Sequence, residues 1–266
     1  MNFDKLKKVR CYLLDMDGTV FLGSQLLPGA ADFLAILRQR GIQYFFLTNN
    51  SSRSKIEYAN KLARLGIEAP ENQIFTSGEA TAIFIKKQMP DARIYLVGTQ
   101  PLENEMRGQG FTLVDDKPDF AVLGFDTTLT YEKLWKLCDF VRAGVPYIAT
   151  HPDINCPTET GFMPDIGAMI AFIEASTGRR PDQIIGKPNL PVVDAMVEKS
   201  GFGVQDLCMV GDRLYTDIAL GRAGLTTVLV LSGETKPADL PNSEFTPDYV
   251  MENLAELVRV YHSFEN

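Results

Sequence analysis

The sequence lacks a long apolar run, an excess of basic residues and any low-complexity tract. No apolar stretch approaches the roughly 20 residues of a membrane span, so we expect no membrane partner. The formal net charge of −8 argues against nucleic acid, because such a surface needs a dominant basic patch. The first strand-like segment follows Met1 so closely that no signal peptide fits, and we expect a cytoplasmic protein.

Cysteine and histidine are also scarce. The four cysteines show no metal-ligand spacing, and Cys11 and Cys208 lie in strand-like apolar runs, so we expect reduced core residues. Of the two histidines, His262 near the C-terminus is expected at the surface. For His151 a buried structural role and a substrate contact are both open.

An apolar run over residues 11–14 ends in two carboxylates, Asp15 and Asp17, followed at once by Gly18. Such a run is typical of a strand buried on both faces of a parallel sheet. Open α/β sheets bind ligands at the carboxyl ends of their strands. Two carboxylates this close repel each other, and a bound cation would relieve the repulsion. The segment therefore predicts a reaction centre.

Buried strands alternate with helices along the rest of the chain. Strands are predicted at 42–47, 74–76, 93–97, 120–123, 146–149, 207–210, 226–231 and 249–251. Helices are predicted at 53–65, 79–89, 131–142, 165–176, 191–199, 216–222 and 254–262, with another after Pro28 that ends near Gly41. This alternation predicts an α/β fold with a parallel sheet and crossover helices.

The pattern divides the chain into three sections. Residues 1–81 and 183–266 have matching β-α units and are expected to share one sheet as a core domain. Residues 82–182 restart the pattern without a comparable pair of acids, so we expect an inserted α/β cap domain. The segment 151–165 within it is polar and proline-containing, which indicates an ordered binding loop.

Four polar sites follow predicted strands: Asp15 with Asp17, Thr48 with Asn49, Lys187, and Asp212 with Asp217. In a parallel sheet those strand ends converge on one edge. Carboxylates for a magnesium ion, a hydroxyl beside an amide, and one lysine form a set suited to phosphoryl transfer. Each motif alone has a structural explanation as a turn, a helix cap or a solvated charge, but the ordered set favours function.

These motifs resemble those of the haloacid dehalogenase-like superfamily: Asp-Met-Asp-Gly-Thr, Leu-Thr-Asn-Asn, Gly-Lys-Pro and Gly-Asp-Arg-Leu-Tyr-Thr-Asp, in that order. Thr48 lies 33 positions after Asp15 and 139 before Lys187, so an insertion of about a hundred residues fits only after the second motif. That arrangement resembles the NagD-like branch, which includes sugar, nucleotide, p-nitrophenyl, pyridoxal phosphate and phosphoglycolate phosphatases. The resemblance implies a Rossmann-like core with a cap.

The resemblance also implies roles for individual residues. Asp15 would be the nucleophile that becomes an aspartyl phosphate, and Asp17 the general acid and base. Thr48, the Asn49 amide and Lys187 would hold the phosphoryl group. Asp15, the Asp17 carbonyl and Asp212 would bind Mg²⁺, and Asp217 would orient Lys187 or a water on the metal.

Residues outside the four motifs also have predicted roles. In the cap, His151, Asp153 and Asp165 are candidate substrate contacts. Trp135 and Phe140 are expected in the cap core or on a cap–cap dimer surface. Arg213 is expected to form a structural ion pair.

The favoured hypothesis is a Mg²⁺-dependent phosphatase acting on a small phosphorylated metabolite. A phosphomutase on the same core and a non-catalytic metabolite-binding protein are the alternatives. Sugar phosphates, nucleoside monophosphates, pyridoxal phosphate, glycerol phosphate and phosphoglycolate all fit the same core motifs, and the branch allows a homodimer.

Overall fold

The computed structural model describes residues 2–158 and 161–264. Its strands are β1 (Cys11–Leu14), β2 (Phe21–Leu22), β3 (Gln25–Leu26), β4 (Gln43–Thr48), β5 (Ile74–Thr76), β6 (Arg93–Val97), β7 (Thr112–Leu113), β8 (Phe120–Leu123), β9 (Tyr147–Ala149), β10 (Asn155–Thr158), β11 (Gly161–Pro164), β12 (Gln183–Ile184), β13 (Leu207–Gly211), β14 (Thr226–Val230) and β15 (Tyr249–Met251). Its α-helices are α1 (Ala30–Gln39), α2 (Lys55–Arg64), α3 (Ser77–Gln88), α4 (Gln100–Gly108), α5 (Tyr131–Arg142), α6 (Ile166–Thr177), α7 (Leu190–Ser200) and α8 (Leu254–Ser263).

One compact unit comprises Met1–Thr48, Tyr58–Phe75 and Met196–Asn266. Its main sheet has six strands in the order β15-β14-β13-β1-β4-β5. The pairings of β1 with β13 and β4, and of β14 with β13 and β15, are parallel. Strands from both ends of the chain therefore form one sheet, as predicted, and β1 lies inside it with every residue buried.

The core of this unit packs helices α1 and α8 against the sheet. The rings of Tyr12 and Phe33 meet edge to face, with centroids 5.2 Å apart. The hydroxyls of Tyr12 and Tyr261 hydrogen bond at 2.8 Å, which satisfies two polar groups inside an apolar cluster. Burying a side chain such as Phe33 contributes about 1.5–3 kcal/mol.

The second compact unit comprises Asn49–Glu57 and Thr76–Ala195. Its five-stranded sheet has the order β12-β9-β8-β6-β7, and each pairing is parallel. Helices α5 and α6 contribute Leu137, Val141, Ile170 and Ile173 to its apolar core. Strands β10 and β11 pair as an antiparallel hairpin.

Several local predictions are corrected by the structure. Residues 183–184 form strand β12, which was missed among the predicted strands, and it pairs with β9 in the five-stranded sheet. The strand with which β12 pairs decides which sheet it joins, and a strand of two residues carries too little pattern to predict that pairing. Helix α4 was missed because Pro101, which is tolerated in a first helical turn, reads as a turn residue in sequence.

The polar segment 151–165 contains the β10–β11 hairpin, although Pro157 and Pro164 obscure a strand pattern. Residues 159–160 of that segment lie outside the described residues. The helix expected at 216–222 is a 3₁₀ helix over Ile218–Ala223. Helix α2 begins at Lys55, after Ser54, whose hydroxyl accepts from the Glu57 N–H, rather than at residue 53 as predicted.

Surface and core predictions are partly confirmed. Cys11 and Cys208 are buried, and His262 is exposed. Phe140 packs on the second core, with its ring 4.9 Å from that of Tyr95. Trp135 is 62% exposed, so the core alternative is wrong for it.

The domain boundaries at residues 81/82 and 182/183 stay predictions, and the two compact units divide the chain at other residues. Across the described parts of the chain, helices of the length and apolarity that a bilayer crossing needs are absent.

Candidate active site

Asp15, the first acid of the first motif, follows directly after the carboxyl end of β1. Strand β13 lies beside β1, and the Asp15 N–H donates to the Val210 carbonyl at 2.9 Å. Asp15 is half-buried, whereas the Asp17 side chain is 65% exposed. Gly18 has φ +85°, a left-handed conformation that a residue with a Cβ adopts only with strain. The turn therefore brings the chain back at once, and the Gly18 N–H donates to the Phe21 carbonyl.

Asp212 follows the neighbouring strand β13 and is buried. Its Oδ2 accepts a 2.6 Å hydrogen bond from the Glu234 main-chain N–H. A Cβ on Gly233 would lie 2.0 Å from the same oxygen, and one on Gly18 would lie 2.4 Å from it. Two glycines thus allow main chain to pack directly against this carboxylate, which holds it in one orientation.

Asp217 lies in the next turn and is fully buried. Its Oδ2 accepts from the Arg213 N–H at 3.1 Å. Oxygen atoms of Asp15, Asp212 and Asp217 all lie within 4.8 Å of one another. We call these three residues the acid cluster.

The acid cluster fits a hard divalent cation. All its donors are carboxylate oxygens, the ligands that Mg²⁺, Ca²⁺ and Mn²⁺ prefer. Three like charges at this distance also favour a bound cation electrostatically. The sequence motifs predicted Asp15 and Asp212 as ligands and gave Asp217 an orienting role, but its carboxylate lies in the cluster with them.

Arg213 adds a fixed positive charge beside the acid cluster. Its Nε is 2.9 Å from Glu234 Oε2, and Tyr215 donates to the other Glu234 oxygen at 2.7 Å. Burial alone would lower the pKa of the guanidinium, yet the net shift is upward because acidic groups surround it, namely Tyr215, Glu234, Asp15 and Asp212. Arg213 forms an ion pair as expected, with Glu234 as its partner.

Lys61 was not identified from the sequence. Its Nζ lies 3.5 Å from Asp17 Oδ1 and 3.8 Å from the centroid of the Phe21 ring. The lysine comes from α2, more than forty positions from Asp17. A single lysine on an amphipathic helix carries no local signal of such a contact.

Asn49 and Lys187 meet within the second unit. The Lys187 N–H donates to Asn49 Oδ1 at 2.8 Å, and Asn49 Nδ2 donates to the Lys187 carbonyl at 2.9 Å. The same nitrogen also donates to Asp153 Oδ1 at 3.0 Å. Both hydrogens of the Asn49 side-chain amide are therefore used. The predicted contact between Asn49 and the phosphoryl group would then be made by the main-chain N–H of Asn49.

The remaining predicted positions are a motif residue and two cap residues. Thr48 ends β4, and the division between the two compact units falls between Thr48 and Asn49. His151 is 0% exposed and Asp165 is 3% exposed, and His151 Nε2 lies 2.9 Å from Asp165 Oδ1. Their burial favours a structural role over a direct substrate contact.

The structure thus gathers the predicted residues into two groups. Asp15, Asp212 and Asp217 lie together in the first unit, and Asn49, Asp153 and Lys187 lie together in the second.

Residues 12–112 match the family model described as haloacid dehalogenase-like hydrolase, and residues 184–257 match a second model described as HAD-hydrolase-like.

Two curated relatives match nearly the whole chain. The 5'-nucleotidase YutF of Bacillus subtilis is 36% identical over 95% of this chain and 99% of its own length. The acid sugar phosphatase of Staphylococcus saprophyticus is 36% identical over 96% of this chain and 98% of its own.

Solved structures agree with this relationship. A 4-nitrophenylphosphatase from Thermotoga maritima superposes with a TM-score of 0.92 at 49% identity, covering 96% of this chain and 98% of that one. NagD from Escherichia coli K-12 superposes with a TM-score of 0.87 at 34% identity, covering 93% and 98%. The chain belongs to the haloacid dehalogenase-like hydrolases, in their NagD-like branch. It is an enzyme of the phosphoric monoester hydrolase class.

Proposed function

We propose that this enzyme hydrolyses phosphomonoesters of small metabolites, with Mg²⁺ as its cofactor and an aspartyl phosphate on Asp15 as its intermediate. The observation that carries the proposal is the acid cluster, in which carboxylates from the ends of β1 and β13 lie within 4.8 Å of one another. A site of this kind combines a nucleophilic carboxylate with oxygen ligands for a hard cation.

The reaction has two displacement steps. Asp15 attacks phosphorus, so that an Oδ–P bond forms and the bond to the ester oxygen breaks, and Asp17 gives the departing oxygen a proton. Asp17 then takes a proton from water, whose oxygen attacks the same phosphorus. The Oδ–P bond breaks, inorganic phosphate leaves, and both carboxyl groups return to their starting state. The exposure of Asp17 suits a group that exchanges protons with substrate and water.

Asp15, the main-chain carbonyl of Asp17, and Asp212 would hold the magnesium ion. When bound, the ion supplies positive charge that offsets the charge of the phosphoryl group and of the nucleophile. Asp212 is prepared for this role because its other contacts already fix its orientation. Asp217 would complete or orient the ligand set.

Lys187, Thr48 and the main-chain N–H of Asn49 would bind the oxygens of the transferring phosphoryl group. A lysine ammonium and fixed hydrogen-bond donors stabilise charge that develops on those oxygens. Lys187 is only 3% exposed, and its main chain is bonded on both sides by Asn49. These bonds hold the main chain from which the lysine side chain extends.

The proposed substrates are small phosphomonoesters rather than nucleic acid or lipid surfaces. The full-length relatives are named for a nucleotide, for sugar phosphates and for an aryl phosphate, and the shared chemistry is the phosphomonoester. We therefore propose activity on several members of this class.

The test is phosphate release from a panel that contains sugar phosphates, nucleoside monophosphates, pyridoxal phosphate, phosphoglycolate and p-nitrophenyl phosphate, with and without Mg²⁺. Release that depends on Mg²⁺ is expected, and the preferred panel member defines the substrate group. Phosphorylated isomers without free phosphate would instead support the phosphomutase alternative. No turnover in any arm would overturn the proposal.

A further inference from the structure

His151 and Asp165 form a buried pair in the second unit that takes no part in the proposed chemistry. Asp165 Oδ1 accepts from His151 Nε2 at 2.9 Å and from the Ile166 N–H at 2.7 Å, as the N-cap of α6. A carboxylate only accepts hydrogen bonds, so Nε2 carries a hydrogen. The start of α6 therefore fixes the plane and direction of the imidazole ring.

The other ring nitrogen points towards two hydroxyl groups. His151 Nδ1 lies 3.2 Å from Thr150 Oγ1 and 3.4 Å from Ser77 Oγ. Thr150, His151 and Ser77 are all fully buried. In such surroundings a polar contact is not exchanged for water, which makes its geometry well defined.

Both hydroxyls contact the segment that follows β4. Ser77 Oγ donates to the Asn49 carbonyl, and Thr150 Oγ1 lies 3.1 Å from Ser51 Oγ. Ser51 Oγ accepts in turn from the Phe125 N–H at 2.9 Å. Two hydroxyl groups, those of Ser77 and Thr150, therefore each connect His151 Nδ1 to the segment 49–51.

The Asn49 side chain continues this chain of contacts to Lys187. Its two hydrogen bonds to the Lys187 main chain, at 2.8 and 2.9 Å, resemble the paired hydrogen bonds between two β-strands. Asp165, His151, Ser77, Asn49 and Lys187 are therefore linked by consecutive contacts within one unit. We call this sequence of contacts the histidine relay.

We propose that His151, oriented by Asp165, is a positioning residue for Lys187 and acts through Ser77 and Asn49. This inference rests on the proposed function, since it assumes that Lys187 binds the phosphoryl group. His151 would never touch substrate, and its effect would pass through the placement of the lysine. Displacing a catalytic group by about 1 Å can cost on the order of 10²-fold in rate, so a change in this relay should have a measurable effect.

A double-mutant cycle on phosphate affinity tests the proposal. Inorganic phosphate binding is measured by calorimetry with Mg²⁺ present, for the wild type, His151→Asn, Lys187→Ala and the double variant. His151→Asn should weaken binding about tenfold when Lys187 is present and not at all when Lys187 is absent. An equal loss in both backgrounds, or no loss in either, overturns the proposal.

Ser77→Ala provides a second measurement that does not depend on replacing the ring. It removes only the hydroxyl between His151 and Asn49, and it should show the same dependence on Lys187. If His151→Asn does not fold, this variant decides between the same two outcomes. Tyr147→Phe is the matched control, because the Tyr147 hydroxyl is buried without a hydrogen-bond partner among the described residues. Its phosphate affinity should equal that of the wild type.

Phosphate affinity is independent of turnover, so the inference and the proposed function can fail separately. A failed panel with an intact cycle would retain the relay and reject the hydrolytic mechanism. A productive panel with an additive cycle would do the reverse.

Discussion

The two units each contain three titratable side chains whose ligand-type atoms lie within 4.8 Å of one another. In the first unit these are Asp15, Asp212 and Asp217. In the second unit they are His151, Asp153 and Asp165. By distance alone the two clusters are equivalent, but their composition differs.

Three carboxylates concentrate charge of one sign, which favours a cation. In the second cluster an imidazole donates to one carboxylate, and the other carboxylate accepts from Asn49. Its polar atoms are therefore engaged in hydrogen bonds that orient neighbouring groups. Composition, rather than proximity, distinguishes the candidate cation site from the proposed positioning network.

The largest expected effect is at the proposed nucleophile. Asp15→Asn should reduce phosphate release by at least about 10³-fold, because a neutral amide cannot form the acyl phosphate. Thermal unfolding should show an intact fold. Asp91→Asn, an exposed change of the same chemistry, should retain full activity. Substantial turnover by Asp15→Asn would remove Asp15 from its proposed role.

Metal binding should separate the two clusters directly. Mg²⁺ should stabilise the wild type, by about 2.7 kcal/mol at a hundred times its dissociation constant. Asp212→Asn should abolish that stabilisation, whereas Asp165→Asn should retain it. The measurement is the unfolding temperature across a Mg²⁺ titration. The reverse pattern would place the ion in the second unit.

A smaller effect is expected from crowding the acid cluster. Gly233→Ala adds a Cβ about 2 Å from Asp212 Oδ2, so the carboxylate must move. We expect Mg²⁺ affinity to fall about tenfold. Gly203→Ala is the control, because its Cβ would approach other atoms no closer than 3.5 Å. Equal affinities in the two variants would show that the orientation of Asp212 is unimportant.

The smallest effect concerns three charged side chains in the second unit, Lys55, Glu79 and Glu105. Lys55 Nζ lies 2.8 Å from the Glu79 carboxylate and 3.4 Å from that of Glu105, which also accepts from Thr76. Burial raises the pKa of Glu105 above its usual 4.5, and the charge of Glu79 adds to this against the opposing effect of Lys55.

Because its folded-state pKa is raised, Glu105 keeps its proton to a higher pH in the folded protein than in the unfolded chain. This contribution makes stability fall as pH rises from about 4.5 through the folded-state pKa. Glu105→Gln lacks it, so its stability relative to the wild type should increase across that interval. Urea unfolding at several pH values measures the difference. Exposed Glu132→Gln serves as the control, and an identical trend there would refute the assignment.

Much of the fold could be predicted because buried parallel strands are nearly continuous apolar runs. Strand β1 and the acids after it stand out for that reason, as do β8 and helix α5, whose observed bounds match the prediction. The order of the four motifs likewise identified the family. Strand β12 could not be assigned to its sheet, since a two-residue strand is defined by its partner and not by its own pattern.

The sequence by itself predicted which residues would carry the proposed chemistry: the acids after β1 and β13, Lys187 and Asn49. Tertiary structure alone decided that Asp217 joins Asp15 and Asp212, and that Lys61 approaches Asp17. It also decided that the Asn49 side chain binds the main chain of Lys187, across 138 positions. The physical reason is that hydrogen bonds and ion pairs act over a few ångströms, between groups that only folding brings together.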